Sequence, residues 1–142
     1  MRGNTHYKSG DYKAAVAAYS EALALEPMIA PWYGNRAAAN MMLEHFDEAI
    51  VDCEKAVELD PEYIKGYMRM STALLSQGRF NEASSTVTRA LVRLKRHEKE
   101  YAAAQEMKAK IGKTQRTVEA ADAAIKAVRG LPCRRWLCAL PW

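Results

Sequence analysis

Apolar and small residues along the chain follow two nested spacings. Within short stretches they step by three and four, the pattern of an amphipathic helix with one buried stripe. Over longer distances the same residue types return every 34 positions. Aromatics stand at Tyr12, Phe46 and Phe80, beside breaks at Gly10-Asp11, His45 and Gly78-Arg79. Ala15, Ala49 and Ala83 keep this step, as do Ala22, Ala56 and Ala90, Pro27 and Pro61, and Tyr33 and Tyr67. Alanines at fixed places let helix backbones approach closely, and the recurrent aromatic fills the wedge between them. Pro27 and Pro61 stop helices, because proline cannot continue one and biases its predecessor to extended geometry. The pattern predicts helices over about 1–8, 12–25, 30–42, 46–59, 64–77 and 80–94. They group into three units, 1–29, 30–63 and 64–97. One helical hairpin cannot bury both of its faces, so the units must stack, and three suffice. The expected fold is all-α, a superhelix of helix–turn–helix repeats.

Beyond residue 94 the period weakens. Tyr101, Gly112 and Ala124 keep the register, but Thr117 stands where alanine is expected. Ala104, Met107, Ile111, Thr114, Val118, Ala121, Ile125 and Val128 step by three and four, which predicts one long helix from about 98 to 128. Gly112 inside it costs about 1 kcal/mol relative to alanine. Residues 98–129 suit a solvating cap over the third unit, which repeat arrays require, or a coil pairing two copies of the chain. The alanine-rich seam is poor for pairing, so a cap is the expectation and a homodimer the alternative. Residues 130–142 hold two of the three Trp, two of the three Cys and no acidic residue. That composition suits a membrane-interface anchor or a segment foreign to the native protein, and the second is the expectation.

A length of 142 residues, 49% of them hydrophobic, supports a core without disulfides or metals and excludes a disordered or collagenous chain. No run of 18 apolar residues occurs, and the N-terminal residues lack the apolar stretch of a secretory signal. Three Cys cannot all pair, which points to a reducing, cytoplasmic setting. The net charge of +4 conceals an asymmetry. Residues 1–94 carry 10 basic and 12 acidic side chains, and residues 95–142 carry 11 and 5. The repeats are therefore slightly acidic, which speaks against a nucleic-acid partner. Phosphate-binding glycine loops, His-Glu-x-x-His and Gly-x-Ser-x-Gly are missing, so no catalytic residues are assigned. Cys133 and Cys138 lack further ligands, and His6, His45 and His97 fall in different units, so neither metal nor cofactor is expected. Asp47, Glu48, Asp52, Glu54 and Glu58 read as an exposed acidic face on a second helix.

The 34-residue period, with its paired alanines, inter-helix aromatic and terminal proline, resembles the tetratricopeptide repeat (TPR). In that register the first helix is short, so the chain is expected to begin inside its first repeat. The resemblance implies that the first helix of each unit lines a concave groove. Its positions are Asn4, Tyr7 and Lys8, then Asn35, Ala38, Met41 and Met42, then Lys65, Met68, Arg69, Thr72 and Leu75. Every charge among them is positive, which suits an extended anionic peptide.

Co-chaperone members of this family bind the acidic C-terminal tail of heat-shock protein 70 or 90 through a two-carboxylate clamp. The family pattern is a Lys and then an Asn in the first helix, an Asn in the third, and a Lys and Arg in the fifth. Gly3-Asn4, Gly34-Asn35-Arg36 and Lys65-Gly66-Tyr67-Met68-Arg69 resemble these elements. The resemblance implies Asn4, Asn35, Lys65 and Arg69 as clamp residues and Lys8, Ala38, Met68 and Thr72 as groove contacts. The remaining clamp Lys would fall before Met1. Residues 33–43 look most like the TPR region of J-domain co-chaperones or of the Hsp-organising protein, although the J-domain's His-Pro-Asp is missing here. The chemistry is coherent by itself. Two amides donate N–H groups, two cations spaced i and i+4 share a helix face, and a C-terminal Asp offers two carboxylates. The alternative is a TPR scaffold that holds an internal segment of another protein, with or without self-association.

Overall fold

The computed structural model describes residues 2–93 and 98–129, and these form seven helices. In chain order they are α1 (Arg2–Lys8), α2 (Tyr12–Leu25), α3 (Ala30–Met42), α4 (Phe46–Leu59), α5 (Ile64–Ser76), α6 (Phe80–Arg93) and α7 (Glu98–Arg129). Each begins and ends within a residue of the position expected from the apolar pattern. Each packs on the next, and α3 also touches α5, so the first helices of the second and third units lie side by side.

The turns inside the units explain the repeat. Gly10, Glu44 and Gly78, each 34 residues apart, all adopt left-handed φ values of 81°, 61° and 73°. Paired backbone bonds close each helix there: Gly10 and Asp11 N–H to Tyr7 and His6, Glu44 and His45 to Met41 and Asn40, Gly78 and Arg79 to Leu75 and Leu74. This is the geometry that glycine accepts without strain, and Glu44 adopts it with a side chain. Asp11 then starts α2, its carboxylate accepting the Ala14 N–H at 3.1 Å, and Pro31 occupies the first turn of α3.

The recurrent alanines sit where helices touch. Ala15, Ala49 and Ala83 are all fully buried, as is Ala56. The main core joins Ala37, Cys53, Tyr67, Met70, Leu74 and Val87 to Ala104 and Ile111 of α7. The first half of α7 thus covers the open end of the third unit, with Tyr101 and Met107 packed beside the two buried residues. Its second half leaves that surface: Val118 is 40% and Ile125 52% exposed. No helix among the described residues is long and apolar enough to cross a membrane. Met1, His97, the Cys133–Cys138 pair and all of residues 130–142 lie outside the described residues.

One expectation is corrected. Asp47, Glu48, Glu54 and Glu58 are exposed, but Asp52 is 4% exposed. Its carboxylate accepts Arg36 Nη2 at 2.6 Å and Nε at 2.9 Å, a two-pronged ion pair. Arg36 also donates to Ser20 Oγ at 3.0 Å, and Asn40 Nδ2 donates to Asp52 at 3.4 Å. Bonding to Asp52 raises the Arg36 pKa, against the effect of burial. Asp52 faces inward because it occupies the register position of Thr86, which is also buried, and Arg36 that of buried Met70. Thr86 Oγ1 likewise meets Met70 Sδ, at 3.7 Å. The third unit fills the same space with an almost apolar pair.

Candidate functional site

Helices α1, α2, α3 and α5 bring Asn4, Tyr7, Lys8, Tyr19, Asn35, Ala38 and Arg69 around one cavity of about 130 Å³. Five of the eight residues expected to contact a peptide therefore meet, Asn4, Lys8, Asn35, Ala38 and Arg69, joined by the further groove position Tyr7. The other three do not line this cavity. Lys65 is exposed on α5, one turn before Arg69. Met68 is half-buried against the main core, and the Thr72 hydroxyl donates back to the Met68 carbonyl at 2.9 Å. Of the remaining groove positions, Met41 and Leu75 also pack on the core, whereas Met42 is exposed.

Glycine precedes each of the two asparagines for a packing reason. A Cβ on Gly3 would lie 2.6 Å from Tyr19 Cε1, and one on Gly34 2.6 Å from Tyr63 Cε1. Real carbon atoms do not approach so closely, so each glycine admits an aromatic ring beside its helix. Tyr19 Oη donates to Asn4 Oδ1 at 2.5 Å, and Asn35 Nδ2 reaches the same oxygen at 3.5 Å. Arg69 Nη1 donates to the Gly34 carbonyl at 2.6 Å and to Tyr63 Oη at 3.4 Å, tying α5 to α3.

The lining holds two cations, Lys8 and Arg69, two side-chain amides and no carboxylate. Burial raises the pKa of Tyr19, more than the nearby Arg69 charge lowers it, so its hydroxyl keeps its proton. Such a site offers N–H donors and positive charge in a confined space, the complement of a carboxylate. A larger cleft of about 640 Å³ lies between α2 and α4 over the Arg36–Asp52 pair. Its rim carries Asp47 and Glu48, which oppose an acidic ligand. Among the described residues, no group of three His, Cys, Asp or Glu side chains is placed to hold a metal ion.

Sequence reasoning did not find Tyr19 or Tyr63. Tyr19 shares its register with Cys53 and Val87, and all three are buried, so the period marks it as core. Only its hydroxyl distinguishes it, and spacing carries no sign of where that hydroxyl points. Tyr63 stands in the turn before α5, outside the helical pattern.

The family profile described as tetratricopeptide repeat matches residues 30–63, and a second, described as TPR repeat, matches residues 3–44. The small glutamine-rich tetratricopeptide repeat-containing protein 2 of Saccharomyces cerevisiae is 41% identical over 83 residues, 58% of this chain and 24% of that protein. The human DnaJ homolog subfamily C member 7 is 39% identical over 90 residues, 63% of this chain and 18% of that protein. The chain spans less than a quarter of the length of the curated relatives it matches. Among solved structures, the second TPR domain of human RPAP3, in complex with the HSP70 peptide SGPTIEEVD, superposes with a TM-score of 0.69 at 32% identity. The superposition covers 78% of this chain and 89% of that one. Repeat period, fold, profile and relatives agree, and the chain belongs to the tetratricopeptide repeat family.

Proposed function

We propose that the chain is a cytoplasmic, non-enzymatic co-chaperone adaptor that holds the acidic C-terminal peptide of heat-shock protein 70 or 90 in its groove. The observation that carries this reading is the convergence of Asn4, Asn35, Lys8 and Arg69 on one cavity without a carboxylate. A peptide ending in Asp brings its main-chain and side-chain carboxylates together, and each takes N–H donors from this set. Asn4 and Asn35 supply amide hydrogens, and Arg69 supplies guanidinium N–H groups beyond the Nη1 that holds Gly34. Lys65, exposed one turn earlier on α5, adds charge near the same site. The likeness to a domain bound to a peptide ending in Glu-Glu-Val-Asp supports the same chemistry.

Calorimetric titration with Met-Glu-Glu-Val-Asp, as free acid and as C-terminal amide, tests the proposal. The acid should bind and the amide should lose most of the affinity, and binding of the acid should weaken as salt rises. Equal binding of both forms would sink the clamp and favour a scaffold that reads an internal segment.

A further inference from the structure

The cleft of about 640 Å³ between α2 and α4 shares no residue with the groove cavity. Its lining carries one cation, Arg36, against Asp47, Glu48 and Asp52, and Arg36 is committed to Asp52. Asp47 accepts the Gln77 amide at 2.8 Å, whereas Glu48 has no cationic partner among the described residues. One turn beyond Glu48, Val51 is 63% exposed, and Val16 of α2 is half-buried across the cleft. The recess therefore joins an unneutralised carboxylate to aliphatic surface.

The third unit shows which group suits such a place. In the same register one unit later, Ile50, Glu82 and Ser85 stand for Val16, Glu48 and Val51, and the recess measures only about 180 Å³. There Arg79 lays its guanidinium on Glu82, Nη2 at 2.6 Å and Nε at 2.7 Å. The counterpart of Arg79 in the second unit is His45. Their backbones are placed alike, for Ala49 N–H donates to the His45 carbonyl at 3.1 Å and Ala83 N–H to that of Arg79 at 3.0 Å. Among the described residues no ion pair joins His45 to Glu48. The third unit thus supplies from within a guanidinium that the second unit lacks.

We propose that this cleft is a second docking surface, for a partner-protein segment that sets an arginine on Glu48 and an adjacent aliphatic side chain against Val16 and Val51. The two parallel N–H groups of a guanidinium match the two carboxylate oxygens, as they do at Glu82. The acidic lining repels the acidic peptide proposed for the groove, so the two surfaces take partners of opposite charge.

The blocked tripeptide acetyl-Leu-Arg-Leu-amide serves as the probe. Titrated into the full chain at millimolar concentration, it should move the ¹⁵N–¹H signals of Glu48 and Val51 saturably and leave those of Asn35 and Arg69 in place. The same tripeptide with citrulline for arginine keeps the shape without the charge. It should bind about fivefold more weakly, the upper end for a part-exposed ion pair, and Glu48→Gln should cost the same factor. His45→Arg supplies the guanidinium from within and should weaken the probe at least as much. Glu48 and His45 are exposed, so both variants should keep the fold, which unchanged signals from α5 and α6 verify. Absence of saturable shifts at Glu48 and Val51, equal binding of the citrulline peptide, or undiminished binding to E48Q or H45R overturns the proposal. Shifts at those residues that grow with protein concentration alone would give the cleft to a second copy of the chain and also overturn it.

Discussion

The Arg36–Asp52 pair joins α3 to α4 and, through Ser20, to α2, so its loss should be felt across the first two units. Arg36→Ala leaves the Asp52 carboxylate, 4% exposed, with only the Asn40 amide at 3.4 Å. Orphaning a fully buried charge costs about 3–5 kcal/mol. The Arg36 side chain is 24% exposed, so water can follow into the space it vacates. The lower end of the range, about 3 kcal/mol, is therefore expected. In urea unfolding, with a slope of about 1–3 kcal/mol per molar, the midpoint should fall by about 1–3 M. The next unit supplies the control, because Met70 and Thr86 occupy the same two positions. Arg36→Met with Asp52→Thr removes both charges and should return to within about 1 kcal/mol of wild type. A loss below about 1 kcal/mol for R36A, or a double variant as weak as R36A, would refute the argument.

Arg69→Ala should weaken binding of the acidic peptide by about 1.5–3 kcal/mol by calorimetry, the scale of a charged hydrogen bond. It should also lower thermal stability, because the bonds to Gly34 and Tyr63 go with it. Gly34→Ala and Gly112→Ala should act in opposite directions. The first drives a methyl into Tyr63 and should destabilise by about 1–3 kcal/mol. The second meets nothing within 4 Å and should stabilise α7 by about 1 kcal/mol, both read from melting curves. Burial pushes the Cys53 thiol up to about 12. The unfolded thiol ionises near ~8.5, so between those values the native state binds the extra proton and stability falls as pH rises, by up to about 1.4 kcal/mol per pH unit. Comparing the pH dependence of unfolding between wild type and Cys53→Ala should reveal that slope, and a parallel pair of curves would contradict it.

The helices were legible in the sequence because their causes are local and repeated. Alanines at helix contacts, aromatics after the turns and prolines at the ends each act at fixed spacing. The left-handed turns at Gly10 and Gly78 are equally plain, whereas Glu44 hides the same geometry behind an ordinary residue. The candidate site was legible where its lining sits on a helix face, as for Asn4, Asn35 and Arg69, which meet around one cavity. Spacing did not reveal that Met68, one residue before Arg69, packs partly against the core and does not line that cavity. It failed again for Asp52, one acid among several on α4, although its register with Thr86 carried the clue. The bond between Tyr19 and Asn4 depends on where a single oxygen ends after packing, and no periodicity encodes that.

The bond from Arg69 to the Gly34 carbonyl has a further consequence, for the speed and entropy of association. A free arginine side chain carries about 2 kcal/mol of rotamer entropy that a ligand must ordinarily suppress. Here folding has already suppressed much of it, because the guanidinium is anchored at 2.6 Å before any peptide arrives. Binding should therefore resemble docking onto a rigid surface, with single-phase association kinetics and most of the ordering confined to the incoming peptide.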